Sequence, residues 1–460
     1  MVRILVPSGA LGLGYDAAAL ARGIAGKPDL IAIDGGSTDS GPSYLGRGVS
    51  KYARASTKQE WAGLLAAREA ACVPLVIGTA GTCGAGSAVD WLVEITEEIL
   101  AETGKSARLA VLKSDQSAAR LKAALAAGRI RPLDPAPDLS PQQLDQCTNI
   151  VALAGVEQIN AALATGADIV IAGRTTDTAL IAALPIARGA DPGAAWHGAK
   201  IAECGALCAT HPQTGVVQLD VDATGFTITP MAEASVATPH TVSAHMLYEN
   251  SDPLRLFEPG GQLDVTAAVY TQADRQSVRV EGARWLASED YTVKLEGAAI
   301  AGYQTVAMVL IRDPHYVAHI DRWCDAVTAA LADKVAARLG DQSYGLELRQ
   351  IGRNATLGPL ETATGAPVEV GVLAIVTAPT QAMAADIAKL LNPYLLHHPL
   401  TEEEEVPSFA FPFSPPEIDR GPLWSFALNH TLSLDDPMEA FDLTVREITH
   451  AKAPDQATHA

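Results

Sequence analysis

Ile31-Ala32-Ile33-Asp34-Gly35-Gly36-Ser37-Thr38-Asp39-Ser40-Gly41-Pro42 is a short apolar run that ends in an acid and then breaks into glycines, hydroxyls, a second acid and a Gly-Pro stop. The run reads as a strand of a parallel sheet, whose carboxyl ends open on the crevice where ligands sit. Small residues there let a ligand approach the backbone, and Asp, Ser and Thr supply acceptors and donors. The same loop also fits a tight strand-to-helix turn whose side chains satisfy only local amides. Its neighbours decide between the two.

Residues 2–7 read as a first strand rather than a signal leader, followed by the glycine loop 8–14. That loop is a loose match to a dinucleotide fingerprint and claims no such site. A third strand at 73–77 opens into Gly78-Thr79-Ala80-Gly81-Thr82-Cys83-Gly84, and another at 168–172 opens into Gly173-Arg174-Thr175-Thr176-Asp177. Helical patterns lie between the strands. The alternation predicts a doubly wound parallel sheet covered by helices on both faces, over residues 1–210. A barrel would share the pattern, but the proline-rich break at 129–141 favours an open sheet. Residues 211–300 read as an antiparallel, β-rich region. Residues 301–450 follow the β-α-β-β-α-β order of a ferredoxin-like α+β unit, and 451–460 read as a disordered tail.

The chain has 460 residues, 48% hydrophobic and 19% charged, with a net charge of −20. That length favours two or three domains. The acidic balance argues against nucleic acid or a membrane surface as partner, since both need a positive face. No apolar run approaches the roughly 20 residues of a membrane span, so a cytoplasmic location is expected. Six cysteines without paired C-x-x-C spacing read as reduced thiols, not a zinc ribbon. Neither a G-x-S-x-G elbow nor a P-loop lysine is present, which removes the α/β-hydrolase, kinase and P-loop readings.

Three loops are expected at one sheet edge as a small-molecule site: Asp34, Gly35, Gly36, Ser37, Thr38 and Asp39; Thr79, Ala80, Gly81 and Thr82; and Arg174, Thr175 and Asp177. Arg174 has the fork that pairs with a carboxylate or phosphate, although Asp177, three residues on, is its alternative partner. On a helix, His197, Lys200 and Cys204 fall at i, i+3 and i+7, with Glu203 beside Lys200. Lysine with a carboxylate suits proton transfer, and a thiol near a cation suits nucleophilic attack. An ordinary ion pair beside buried cysteines is the more frequent origin of this spacing. Lys294, alternating with Glu296 on a strand, and Arg353, at a strand end, are further substrate-binding candidates. His240, His245 and Glu249 offer metal ligands without a recognised metal spacing, so the metal remains unknown. No motif requires a cofactor.

The segments Asp34-Gly-Gly-Ser-Thr-Asp39, Ile77-Gly-Thr-Ala-Gly81-Thr82, Gly166-Ala-Asp168-Ile-Val-Ile-Ala-Gly173-Arg174, Trp196-His-Gly-Ala-Lys200-Ile-Ala-Glu203-Cys204 and Tyr291-Thr-Val-Lys294-Leu-Glu296 occur in this order. Together they resemble the acyclic terpene utilisation (AtuA-like) family over most of residues 1–380. The stretch from Gly421 to His430 resembles a small companion domain found beside that family. The resemblance implies catabolism of branched or unsaturated acids, often as CoA thioesters, and transfers no catalytic assignment.

The expectation is therefore a lyase (hydro-lyase) or double-bond isomerase acting on a small carboxylic acid or its CoA thioester. CoA would enter only as part of the substrate. Lys200, Glu203, Cys204 and His197 are the catalytic candidates. A Cys204-dependent acyl transferase or hydrolase is the second reading, and a ligand-binding subunit that needs a partner is the third. A homo-oligomer, with a small companion subunit as a further partner, completes the expectation.

Overall fold

The computed structural model describes residues 1–449; the tail expected at 451–460 lies outside the described residues. The chain divides into two compact units, one of residues 1–299 together with the segment from Phe426 on, the other of residues 300–425.

The first unit is built on a ten-stranded sheet. Its middle strands, Val2–Val6, Leu30–Asp34, Leu75–Gly78, Ile169–Ala172 and Ala107–Lys113, lie side by side in that order and run parallel. Side chains of successive strand residues point to opposite faces, and both faces are buried. Ile4, Val76 and Val170 belong to one apolar cluster, while their neighbours Leu5, Ile77 and Ile171 belong to another. Helices cover both clusters. Trp61 and Leu64 of Arg54–Ala71 pack on one face, and Trp196 and Ala199 of Pro192–Ala202 on the other.

The strands of 211–300 are antiparallel, as the sequence implies, but most are not a layer of their own. Val217–Val221 pairs antiparallel with Val2–Val6, and Gly225–Pro230, Val278–Glu281 and Val269–Gln272 extend the same sheet outward. They occupy the edge that the parallel strands would otherwise leave unpaired. Only Arg255–Glu258, Gly261–Asp264 and Arg284–Ala287 form a separate three-stranded sheet.

In the second unit, residues 303–311 pair antiparallel with Val370–Ala378, which pairs in turn with Gly345–Ile351. Ile320–Leu339 and Gln381–His397 supply Trp323, Val327, Leu331, Ile387 and Leu391 to its core. This unit ends at residue 425, not 450. Residues 430–432 pair with 130–132, and Asp442–Ile448 pairs with Ala107–Lys113 at the far edge of the first unit's sheet. Among the described residues no helix is long and apolar enough to cross a membrane.

Candidate functional site

Asp34 closes the second parallel strand, and its Oδ2 accepts the Gly36 amide at 3.0 Å, which folds the loop back on itself. A Cβ on Gly35 would lie 2.5 Å from the Thr79 carbonyl oxygen, and Gly36 has φ +118°. Both glycines are thus required by the close approach of the second loop. That loop does not face a ligand. Thr79, Ala80 and Thr82 are fully buried, with Thr79 and Thr82 held at positive φ. Thr79 donates its amide to Gly173 and Thr82 donates to Gly35. Gly81 packs on Ala88. The four residues expected to bind substrate form a buttress between the first and third loops.

Arg174, in the third loop, is buried, and its fork is occupied by protein. Nε donates to Glu296 Oε2 at 2.9 Å, Nη2 to Glu296 Oε1 and Thr38 Oγ1 at 3.4 Å, and Nη1 to Thr79 Oγ1 and the Thr175 carbonyl. Asp177 stands at 3.7 Å. Glu296 also takes hydrogen bonds from Thr38 Oγ1 at 3.1 Å and Lys294 Nζ at 3.2 Å. Burial by itself works against its charge, but Arg174 and Lys294 outweigh it and hold Glu296 at about 2. The expected carboxylate-binding arginine is therefore the cation of an internal pair. Thr175 is likewise buried.

Helix Pro192–Ala202 starts with Asp191 accepting the Ala194 amide and Pro192 at its first position, as helix entry favours. Every residue from Gly193 to Ala202 is buried, so spacing alone could not say which face meets the site. Lys200 and Glu203 do: the Lys200 ammonium bonds Glu203 Oε1 at the cleft wall. His197 does not. Its ring lies against Phe226 and Tyr270, with Nε2 3.1 Å from the Tyr270 hydroxyl, and burial pushes it down to about 3. It is a neutral core histidine. Arg353 belongs to the second unit, where it pairs with Asp321 at 2.6 Å.

The cleft has two lobes. One, of about 610 Å³, is lined by Arg174, Asp177, Lys200, Glu203, Glu258 and Lys294, among others. The other, of about 960 Å³, is lined by residues that include Asp34, Lys51, Tyr52, Cys204, Leu207 and Tyr248. Ser37, Asp39, Asp177 and Glu249 line both. Crowded carboxylates in a buried wall resist ionisation. Burial, followed by repulsion from Asp177, raises Asp34 well above the usual range, with Arg174 opposing. Burial lifts Asp177 to about 6, Glu258 to about 7 and Glu203 to about 8, the last against the pull of Lys200. Burial opposes the Lys200 charge, but Glu203 more than restores it. The Cys204 thiol is pushed well up, by burial first and Glu203 second.

Glu258, Arg255 and Tyr248 line the cleft without having stood out in the sequence, and Glu249, a metal-ligand candidate there, lines it with them. Glu258 sits at the end of Arg255–Glu258 in the small sheet and accepts the Thr178 hydroxyl at 2.5 Å. Only its place between turn residues hinted at a role. His245 closes helix Pro239–His245 and joins Glu203 and Cys204 rather than His240 and Glu249: one ligand atom from each of the three lies within 4.8 Å of the others.

The profile of the family described as acyclic terpene utilisation family protein AtuA matches residues 74–407. The match takes in Arg174, Lys200, Glu203, Cys204, His245, Glu258 and Glu296, and begins after the Asp34 loop. No curated protein and no solved structure matches the chain.

Proposed function

Because the chain belongs to the AtuA family, we propose that it is a catabolic enzyme of the lyase or isomerase kind, working on a carboxylic acid or its CoA thioester by moving the proton α to the carbonyl. The observation that carries this reading is the Lys200–Glu203 pair, buried, in contact, and opening on the 610 Å³ lobe. General acid–base groups must reach the proton they move, and a buried pair at a cleft wall does so without competition from bulk water. The Glu203 carboxylate would accept the α-proton, and the Lys200 ammonium would give a proton to the departing hydroxyl, so that water leaves and a double bond forms. Isomerisation would use the same first step and return the proton at a different carbon.

The substrate's negative end falls to Lys294 and Arg255, both at the cleft wall and partly exposed, since the Arg174 fork is already filled. The acids and hydroxyls around them suit hydrogen bonds from substrate hydroxyl groups. A Cys204 nucleophile is less well supported, because burial keeps that thiol protonated. In residues 300–425, the order of strands and helices supports a ferredoxin-like reading of that unit.

The test is exchange of the α-hydrogen in deuterated water, followed by mass spectrometry, across hydroxy acids, unsaturated acids and their CoA thioesters. We expect exchange and water addition or loss with at least one class. Undiminished turnover of that substrate by both Lys200→Ala and Glu203→Gln would overturn the assignment.

A further inference from the structure

Helix Pro239–His245 and the turn that follows helix Pro192–Ala202 bring three different ligand chemistries together. A Glu203 carboxylate oxygen, the Cys204 sulfur and a His245 ring nitrogen all lie within 4.8 Å of one another. The His245 side chain is 5% exposed, and its Nε2 is buried without a hydrogen-bond partner. Buried polar atoms are rarely left so in folded proteins, and each such atom asks for a reason. The sequence separation of about forty residues between His245 and the other two shows why no local motif announced the group.

We propose that Glu203, Cys204 and His245 bind a divalent cation of the zinc type. The mixture of thiol, imidazole and carboxylate selects that class: hard cations such as magnesium and calcium take oxygen ligands, whereas zinc accepts sulfur, nitrogen and oxygen together. Three protein ligands leave the fourth tetrahedral position open, the pattern of a catalytic rather than a structural zinc site. Two of the three ligands border ligand space, Glu203 lining one lobe of the cleft and Cys204 the other. The bond from Lys200 to Glu203 Oε1 matches the outer hydrogen bond that orients a ligating carboxylate. With Glu203 serving as a ligand, the Lys200 ammonium is the member of the pair left to give a proton to a leaving group. The cation would polarise a substrate carbonyl or carboxylate, or a water, brought to its open position.

Metal content is read without substrate, so this site stands or falls separately from the proton-transfer reading. The full-length protein is dialysed against micromolar zinc and then metal-free buffer, and assayed by plasma mass spectrometry. We expect about one zinc per chain. Exchange for cobalt(II) should give visible absorption of a tetrahedral centre and a near-ultraviolet thiolate-to-cobalt band. Cys204→Ser should lose that band, and His245→Gln should weaken zinc retention by at least about tenfold. X-ray absorption of the unmutated zinc protein should contain one sulfur neighbour at about 2.3 Å, a readout that does not depend on any variant folding. Zinc that washes out completely, a metal shell of oxygen and nitrogen only, or a charge-transfer band that survives Cys204→Ser would each overturn the proposal.

Discussion

The two buried cation–carboxylate pairs of the cleft are built from the same chemistry and sit in opposite situations. Arg174 and Glu296 are separated by 122 residues, and the protein gives each guanidinium nitrogen a hydrogen-bond partner. Lys200 and Glu203 are three residues apart at the end of one helix and open on the lobe. Glu296 is held at about 2, whereas Glu203 is pushed up to about 8. An arginine fork with two carboxylate bonds compensates burial; a single lysine among several acids does not. The first pair thus works as a strut between the loops, and the second stands where chemistry is proposed.

The sharpest way to break this contrast is to exchange the damage. Lys200→Ala should lower turnover of a confirmed substrate by about 10²–10⁴-fold and leave circular dichroism unchanged. If the loss is only a few-fold, the open pair is not the proton carrier. Glu296→Ala should cost about 3–5 kcal/mol of stability, because Arg174 is then buried without its partner. Urea unfolding measures this, and a loss no larger than that of Lys200→Ala would make the strut reading wrong.

The pH dependence of stability separates the two environments next. Glu296 lies below its ordinary value of 4.5, so its contribution is present above that value and is lost as pH falls towards about 2. Glu258 and Asp177 lie above their ordinary values of 4.5 and 3.8. Their contribution is complete below those values and is lost as pH rises through about 6 to 7. Urea midpoints should therefore fall on both sides of about pH 4–5. Glu296→Gln should flatten the acid side and Glu258→Gln the alkaline side; an unchanged profile in either would remove that residue from the account. The smallest effect belongs to Lys294→Ala. Its side chain is 41% exposed, so stability should change by no more than about 1 kcal/mol, while KM for an anionic substrate rises and kcat holds.

The parallel strands and their loops were legible because each is a local pattern: an apolar run, then glycine and hydroxyls. So was the Lys200–Glu203 contact, which is one helical turn. What sequence could not give were partners far along the chain. Sequence offers Arg174 its neighbour Asp177, while Glu296, on a strand past residue 290, accepts both of its hydrogen bonds to a carboxylate. His197 shares a turn with Lys200, yet both sides of that helix are buried, and periodicity separates faces only when one is wet. The second loop reads like a ligand cradle for a related reason, since small hydroxylated residues serve close backbone packing as well as ligand approach. The 211–300 strands were recognisable as antiparallel, but edge pairing onto the first strand is a long-range choice.

The return of the chain to the first unit after residue 425 has a consequence for how the protein is made. The strand Ala107–Lys113 receives its outer neighbour only when Asp442–Ile448 has been synthesised. During translation the sheet must therefore wait, with one border exposed, while residues 300–425 are produced. A nascent chain stalled or clipped in that interval would present the open outer edge of this strand to its neighbours, a recognised route to aggregation. C-terminal truncations that spare every cleft residue should accordingly fail in yield and solubility before they fail in chemistry.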